Sequence, residues 1–178
     1  RMKATKLMVL PGDGIGPEVV DSALAVLDVV GDQFNLNFEL QTELIGGASL
    51  DVCGEPITDA VLEKCKDSDA VLLGAVGGPK WDGLSQEKKP EKGLLRLRES
   101  LGLFSNLRPA TVYKPLAGAS SLKEDVIIGS DILVVRELTG GIYFGKPRGY
   151  NQEEGYNTLR YTRVEVERIA KVAFELAE

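Results

Sequence analysis

The chain contains no histidine. That absence removes Ser-His and Cys-His nucleophiles, His-ligated zinc and an imidazole base from its chemistry. Acid–base work falls instead to Asp, Glu, Lys, Tyr or Cys. Cysteine is nearly absent too: Cys53 and Cys65 stand alone, without metal or redox spacing. They read as reduced structural thiols, which suit a reducing compartment. Positive charge is in deficit, 21 Lys and Arg against 27 Asp and Glu, a net charge of −6. A nucleic-acid partner needs a basic face, so none is expected. Apolar runs are short, residues 70–73 being typical, and far below the length that spans a bilayer. No membrane association is expected, and no secretory signal opens the chain. The leading Arg1-Met2 reads as an expression scar or a processing remnant.

What remains is an ordinary globular composition, 43% hydrophobic and 27% charged over 178 residues. At about 150 residues per domain, the length suits one domain, or one and part of another.

Hydrophobic periodicity predicts a buried strand at residues 6–10, entering a tight loop at Pro11-Gly12. Pro17 suits a helix start, and Val20, Leu24 and Leu27 recur at helical spacing, so a helix is expected from 17 to about 30. Residues 34–40 alternate apolar and polar, the pattern of a strand. Thr58 can cap a helix through about Lys66, and residues 70–73 form another apolar strand. Strand, helix, strand, helix, strand is the pattern of an α/β layered domain with a largely parallel sheet. Beyond it, 93–101 reads as a helix and 105–114 as extended. Residues 126–128 and 132–135 read as strands, and 145–158 as a polar loop or projecting arm. Thr162 and Glu165 form a capping box for a last helix, whose apolar stripe is Val166, Ile169, Ala170, Ala173, Phe174 and Ala177. That helix reaches the chain end without a C-cap signal, so more structure is expected beyond it.

Four features carry candidate chemistry. The loop PGDGIGPE at 11–18 follows a strand and opens a helix, so its backbone N–H groups could meet an anion. Its glycines do not match the dinucleotide fingerprint, and a plain strand–helix turn is the competing reading. Arg98, Arg108 and Arg136, placed at element ends in an acidic protein, suit a small di- or tricarboxylate if they converge. Otherwise they are surface ion pairs. Leu94, Leu95 and Leu97 beside Arg98 are either core or an apolar pocket next to carboxylates. Tyr143, between Gly141 and Gly145, is either packing or, with histidine absent, a proton donor assisted by neighbouring cations.

Six stretches in order resemble one family: PGDGIGPE at 11–18, GGA at 46–48, LGAVGGPKW at 73–81, LLRLR at 94–98, FSNLRP at 104–109 and VRELTGGIYFG at 135–145. Together they look like the 3-isopropylmalate dehydrogenases, within the wider β-decarboxylating dehydrogenases that include isocitrate dehydrogenase. The resemblance runs from residue 7 to the end of the chain and covers the N-terminal half of the family. It implies an α/β/α sandwich unlike the Rossmann fold, here truncated. Residues 1–98 would be the N-terminal part of a first α/β domain with the NAD-binding segment. Residues 99–178 would belong to a second domain, with substrate arginines, the tyrosine and a dimer arm at about 145–161.

The resemblance also implies roles. Arg98, Arg108 and Arg136 would hold the substrate carboxylates. Leu94 and Leu95 would receive the isopropyl group, where relatives acting on isocitrate tend to carry polar residues. Gly78, Pro79, Lys80, Trp81 and Glu91 would serve NAD, with Glu91 near the nicotinamide, and Tyr143 would be catalytic, protonating the enolate left by loss of carbon dioxide. The implied reaction is NAD-dependent oxidative decarboxylation of (2R,3S)-3-isopropylmalate to 4-methyl-2-oxopentanoate, a step of leucine biosynthesis. The implied cofactors are NAD and Mg²⁺ or Mn²⁺, and the metal ligands and catalytic lysine would lie outside this chain. The expected partners are a small dicarboxylate and a second copy in a homodimer. The expected location is the cytoplasm, and an organellar protein stripped of its transit peptide reads the same. The chain alone is expected to be inactive. The alternatives are a truncated non-catalytic subunit of the same family, a small-anion binding module, or a relative acting on another malate such as homoisocitrate, tartrate or D-malate.

Overall fold

The computed structural model describes residues 4–178, so Arg1-Met2 lies outside the described residues. The chain divides into two compact units, Arg1–Leu101 and Gly102–Glu178.

The first unit is built on β1 (Thr5–Gly12), β2 (Phe38–Thr42) and β3 (Ala70–Ala75), all parallel in the order β2-β1-β3. The central strand is covered on both faces, so Met8, Val9 and Leu10 are all buried rather than alternating. α1 (Gly16–Phe34) carries the chain from β1 to β2, with Pro17 in its first turn. It runs four residues past the end that the periodicity predicts. Of the strand expected at 34–40, Phe34 ends the helix, residues 35–37 form the turn out of it, and pairing begins only at Phe38. Asn35 is the physical reason. It adopts the left-handed conformation that Asn tolerates and turns the chain out of the helix.

α2 (Gly47–Cys53) was not anticipated, whereas α3 (Asp59–Lys66) begins as expected, with the Thr58 hydroxyl accepting from the Val61 N–H. α4 (Glu91–Ser100) buries Gly93 and Leu97. Met8, Leu10, Ile45, Ile57, Val61, Leu62, Cys65 and Leu97 form the core. Burial pushes the Cys65 thiol up, with the Glu43 charge adding to it. Cys53 is exposed at the end of α2.

The second unit pairs β4 (Ser105–Thr111) with β5 (Asp131–Glu137), antiparallel and in register from Ser105↔Glu137 to Thr111↔Asp131. Pro109 lacks a donor, which a two-stranded ribbon tolerates. The strand expected at 126–128 is instead the end of a one-turn helix, α5 (Glu124–Ile127). Glu124 and Asp125 lie in its first turn, where negative charge favours a helix. The arm is not structureless, since β6 (Gly149–Tyr150) and β7 (Gly155–Tyr156) pair as a small hairpin. α6 (Arg163–Ala177) starts with the expected capping box between Thr162 and Glu165. Its apolar stripe is only partly covered: Ile169, Ala170 and Ala173 are half-buried, while Val166 and Phe174 are exposed. No helix of the described residues is long and apolar enough to cross a membrane.

Candidate active site

In the first unit the chemistry gathers at the carboxyl ends of β1 and β3, where ligands of parallel sheets bind. The 11–18 loop is the turn from β1 into α1 and carries a carboxylate of its own. Asp13 is 4% exposed, and its carboxylate accepts the N–H of Gly47 at 2.7 Å, Ala48 at 2.7 Å and Gly77 at 2.8 Å. Two of these donors open α2, so the helix's unsatisfied N–H groups meet a buried carboxylate. The Asp13 N–H in turn donates to the Ala75 carbonyl at 2.6 Å. Three chain segments are thereby tied together around one side chain.

Gly77 is where this knot meets the expected cofactor segment. Its φ is +98°, and a Cβ there would lie 2.5 Å from Glu91 Oε1. Only glycine suits both the backbone angle and the contact. Gly78 and Pro79 follow in the loop. Lys80 and Trp81 reach back to α2: both the Lys80 ammonium and the Trp81 indole N–H donate to Asp51. Those two donors, Lys80 first, hold the Asp51 carboxyl below its ordinary range.

On α4, Glu91, Leu94, Leu95 and Arg98 fall at i, i+3, i+4 and i+7, which places them on one face. Gly93 and Leu97 occupy the opposite face and are buried, while Leu94, Leu95 and Arg98 are half-buried. Of the three leucines, only Leu97 is core. The face runs from a carboxylate through two apolar side chains to a guanidinium over about 10 Å of helix.

In the second unit, Arg136 and Tyr143 come together. The guanidinium Nη2 donates to the tyrosine hydroxyl, and the cation also lies 5.5 Å from the ring centroid. Tyr143 closes a 3₁₀ turn, Gly141–Tyr143. Arg108 is not at a strand end, as expected, but at the middle of β4, opposite Val134. Asn106 stands directly opposite Arg136 in the register, so Asn106, Arg136 and Arg108 share one sheet face, the two arginines as diagonal neighbours. Asn106 Oδ1 accepts from Arg108 Nε at 2.7 Å, which orients the guanidinium. Arg98 belongs to the first unit and the other two arginines to the second.

Sequence reasoning missed Asp13, Asp51, Asn106 and Glu137. Asp13, Asn106 and Glu137 all lie inside recognised motifs, so the motifs were the available signal. Their hydrogen-bond partners are up to 64 residues away, which no local pattern reveals.

The chain is thus an α/β protein without a dinucleotide fingerprint, with a parallel sheet in its first unit and an arginine-bound tyrosine beside the antiparallel ribbon of its second. The sequence profile of the isocitrate/isopropylmalate dehydrogenase family matches residues 6–178. The 3-isopropylmalate dehydrogenase of Chlorobium chlorochromatii is 59% identical over 172 residues, covering 97% of this chain and 49% of that protein. Isocitrate dehydrogenase from Methylococcus capsulatus superposes with a TM-score of 0.75 at 28% identity, over 97% of this chain and 47% of the other. A β-decarboxylating dehydrogenase from Thermococcus kodakarensis does so with a TM-score of 0.64 at 33% identity, over 96% and 45%. The chain belongs to the isocitrate/isopropylmalate dehydrogenase family, whose fold it shares in part. It spans about half the length of the curated relatives it matches.

Proposed function

We propose that this chain supplies the substrate-gripping and proton-donating half of a cytoplasmic, NAD-dependent 3-isopropylmalate dehydrogenase. The single observation that carries the substrate choice is the α4 face, where Leu94 and Leu95 sit between Glu91 and Arg98 outside the core. A branched malate needs an apolar contact within reach of a carboxylate clamp. Burying its isopropyl arm is favourable by about 0.8 kcal/mol per methylene.

Residues 1–98 then carry the cofactor segment with Leu94, Leu95 and Arg98, and 99–178 carry Arg108, Arg136, Tyr143 and a dimer arm. NAD fits the loop at Gly78, Pro79, Lys80, Trp81 and Glu91, because Gly77-Gly78 leaves backbone without side chains at the carboxyl end of β3. When bound, NAD supplies the hydride acceptor. A divalent metal is the family's other cofactor. Among the described residues no three His, Cys, Asp or Glu side chains gather to hold one.

The residues' own contributions follow from their chemistry. Arg98, Arg108 and Arg136 grip carboxylates through paired N–H donors, and the Asn106 bond on Arg108 Nε leaves the guanidinium's outer nitrogens for the ligand. Oxidation of the 2-hydroxyl gives a 2-keto acid, and loss of carbon dioxide leaves an enolate. Tyr143 donates its O–H proton to the carbon that lost the carboxylate. Its oxygen already accepts from Arg136, so the phenolate left behind is met by a cation in place.

The test is NADH absorbance with 3-isopropylmalate, NAD and Mg²⁺, using the chain alone and together with a separately produced C-terminal half of a relative, with isocitrate and D-malate as controls. Isopropylmalate-selective turnover only in the complemented sample is expected. Absence of turnover in both samples points to a non-catalytic subunit. Preference for a control acid points to another malate as substrate.

A further inference from the structure

Glu137 takes no part in the chemistry above, yet its side chain is only 10% exposed. Oε2 accepts the N–H of Thr139 at 3.0 Å and of Gly140 at 2.7 Å. Oε1 accepts from the Thr139 hydroxyl at 3.0 Å and from Arg168 Nη2 at 2.8 Å. Four donors fill the acceptor capacity of a carboxylate. A partly covered ion whose acceptor sites are all filled makes a firmer node than a loose surface pair.

We propose that Glu137 is the positioning residue of the Arg136–Tyr143 pair, closing the turn that returns the Tyr143 hydroxyl to the guanidinium. Successive residues of a strand face opposite ways. Arg136 therefore faces the tyrosine while Glu137 gathers the turn from the other side of β5. Gly140, whose N–H it binds, opens the 3₁₀ turn that ends at Tyr143. Next in the turn is Gly141, at φ +62°, with the Tyr161 hydroxyl 2.3 Å from where a Cβ would be. Two consecutive glycines bring no stiffness of their own, so the direction of Tyr143 has to be imposed from outside them. The carboxylate imposes it on one side, and the Gly141 N–H bond to the Arg160 carbonyl at 3.0 Å on the other.

Arg168 extends the device to α6. Its guanidinium bonds Glu137 and Thr139 and lies 4.6 Å from the Phe104 ring centroid. Its Nε is buried without a hydrogen-bond partner, a cost set against the contacts to Glu137, Thr139 and Phe104.

The pairing stands on geometry, while its place in the reaction rests on Tyr143 being the proton donor proposed above. The first readout is therefore independent of turnover: the NMR signal of the hydroxyl-bearing ring carbon of Tyr143, in ¹³C-tyrosine-labelled chain, assigned by its loss in Y143F. In E137A and the isosteric E137Q this signal is expected to move toward that of exposed Tyr150. Thr162→Ala, which destabilises α6 without touching the Glu137 carboxylate, should leave it in place. A signal unmoved in both Glu137 variants, or moved as far in T162A, overturns the proposal. The second readout is turnover in the complemented protein. E137Q should lower kcat about tenfold or more through misplacement of the donor, with KM within about twofold, and T162A should keep kcat. A moved signal with unchanged kcat would overturn the positioning role in catalysis. Absence of turnover in the unsubstituted complemented protein would overturn the proposed function, and the resonance alone would then decide the pairing.

Discussion

Tyr143 accepts a hydrogen bond from Arg136, the contact on which its proposed role as proton donor rests. The guanidinium occupies one side of the hydroxyl oxygen and leaves the O–H to be given away. Replacing Tyr143 with Phe should cost about 10²–10⁴-fold in kcat with little change in KM, measured as NADH formation in the complemented protein. Asp13 is the counterpart in the first unit, with three backbone donors on one carboxylate. Asp13→Asn replaces charged hydrogen bonds worth about 1.5–3 kcal/mol each with weaker ones and turns an amide NH₂ toward backbone donors. A loss of at least about 2 kcal/mol in urea unfolding is expected. Glu137 adds a pH dependence. Burial would raise its carboxyl, but the Gly140 N–H, Arg168 and Thr139 together hold it below its ordinary value near 4.5. A carboxylate held low contributes stability fully present above that value and lost as pH falls through the folded one. The urea midpoint of the second unit should therefore fall on acidification below about pH 4.5, and E137Q should make that fall shallower.

At the scale of elements, α4 is an amphipathic helix whose outer face is the proposed contact for the substrate's apolar arm. Its inner face, Gly93 and Leu97, anchors it to the core, so substitutions on the outer face should change selectivity before stability. Leu95→Ala should lower kcat/KM for isopropylmalate about tenfold, two methylenes' worth of contact at about 0.8 kcal/mol each. D-malate, which lacks the branched arm, should be nearly unaffected. The loop after β3 carries Trp81, the chain's single tryptophan, held by Asp51. If that loop receives NAD, titration with the dinucleotide should change tryptophan fluorescence saturably. An unchanged signal would argue against the segment.

For the whole molecule, the two compact units each hold a self-consistent part of the chemistry, and the chain spans half of its relatives' length. The pattern of apolar residues was enough to read most of the parallel strands of the first unit, the Thr58 and Thr162 caps and the helical character of residues 93–101, because burial and capping leave local signatures. It misread residues 34–37, where one left-handed Asn ends the helix and delays the strand to Phe38, and residues 126–128, where three apolar residues fit either. The motifs identified the family, and with it the fold class, since they record chemistry that tolerates few residue types. What tertiary structure alone decided was the use of those motifs: that the Asp13 carboxylate ties the loop to Gly47, Ala48 and Gly77, that Leu94 and Leu95 lie off the core while Leu97 lies in it, and that Glu137 fastens the turn bearing Tyr143. Each of these depends on hydrogen bonds or packing between residues tens of positions apart, and sequence spacing carries no information about distances that only the folded chain creates.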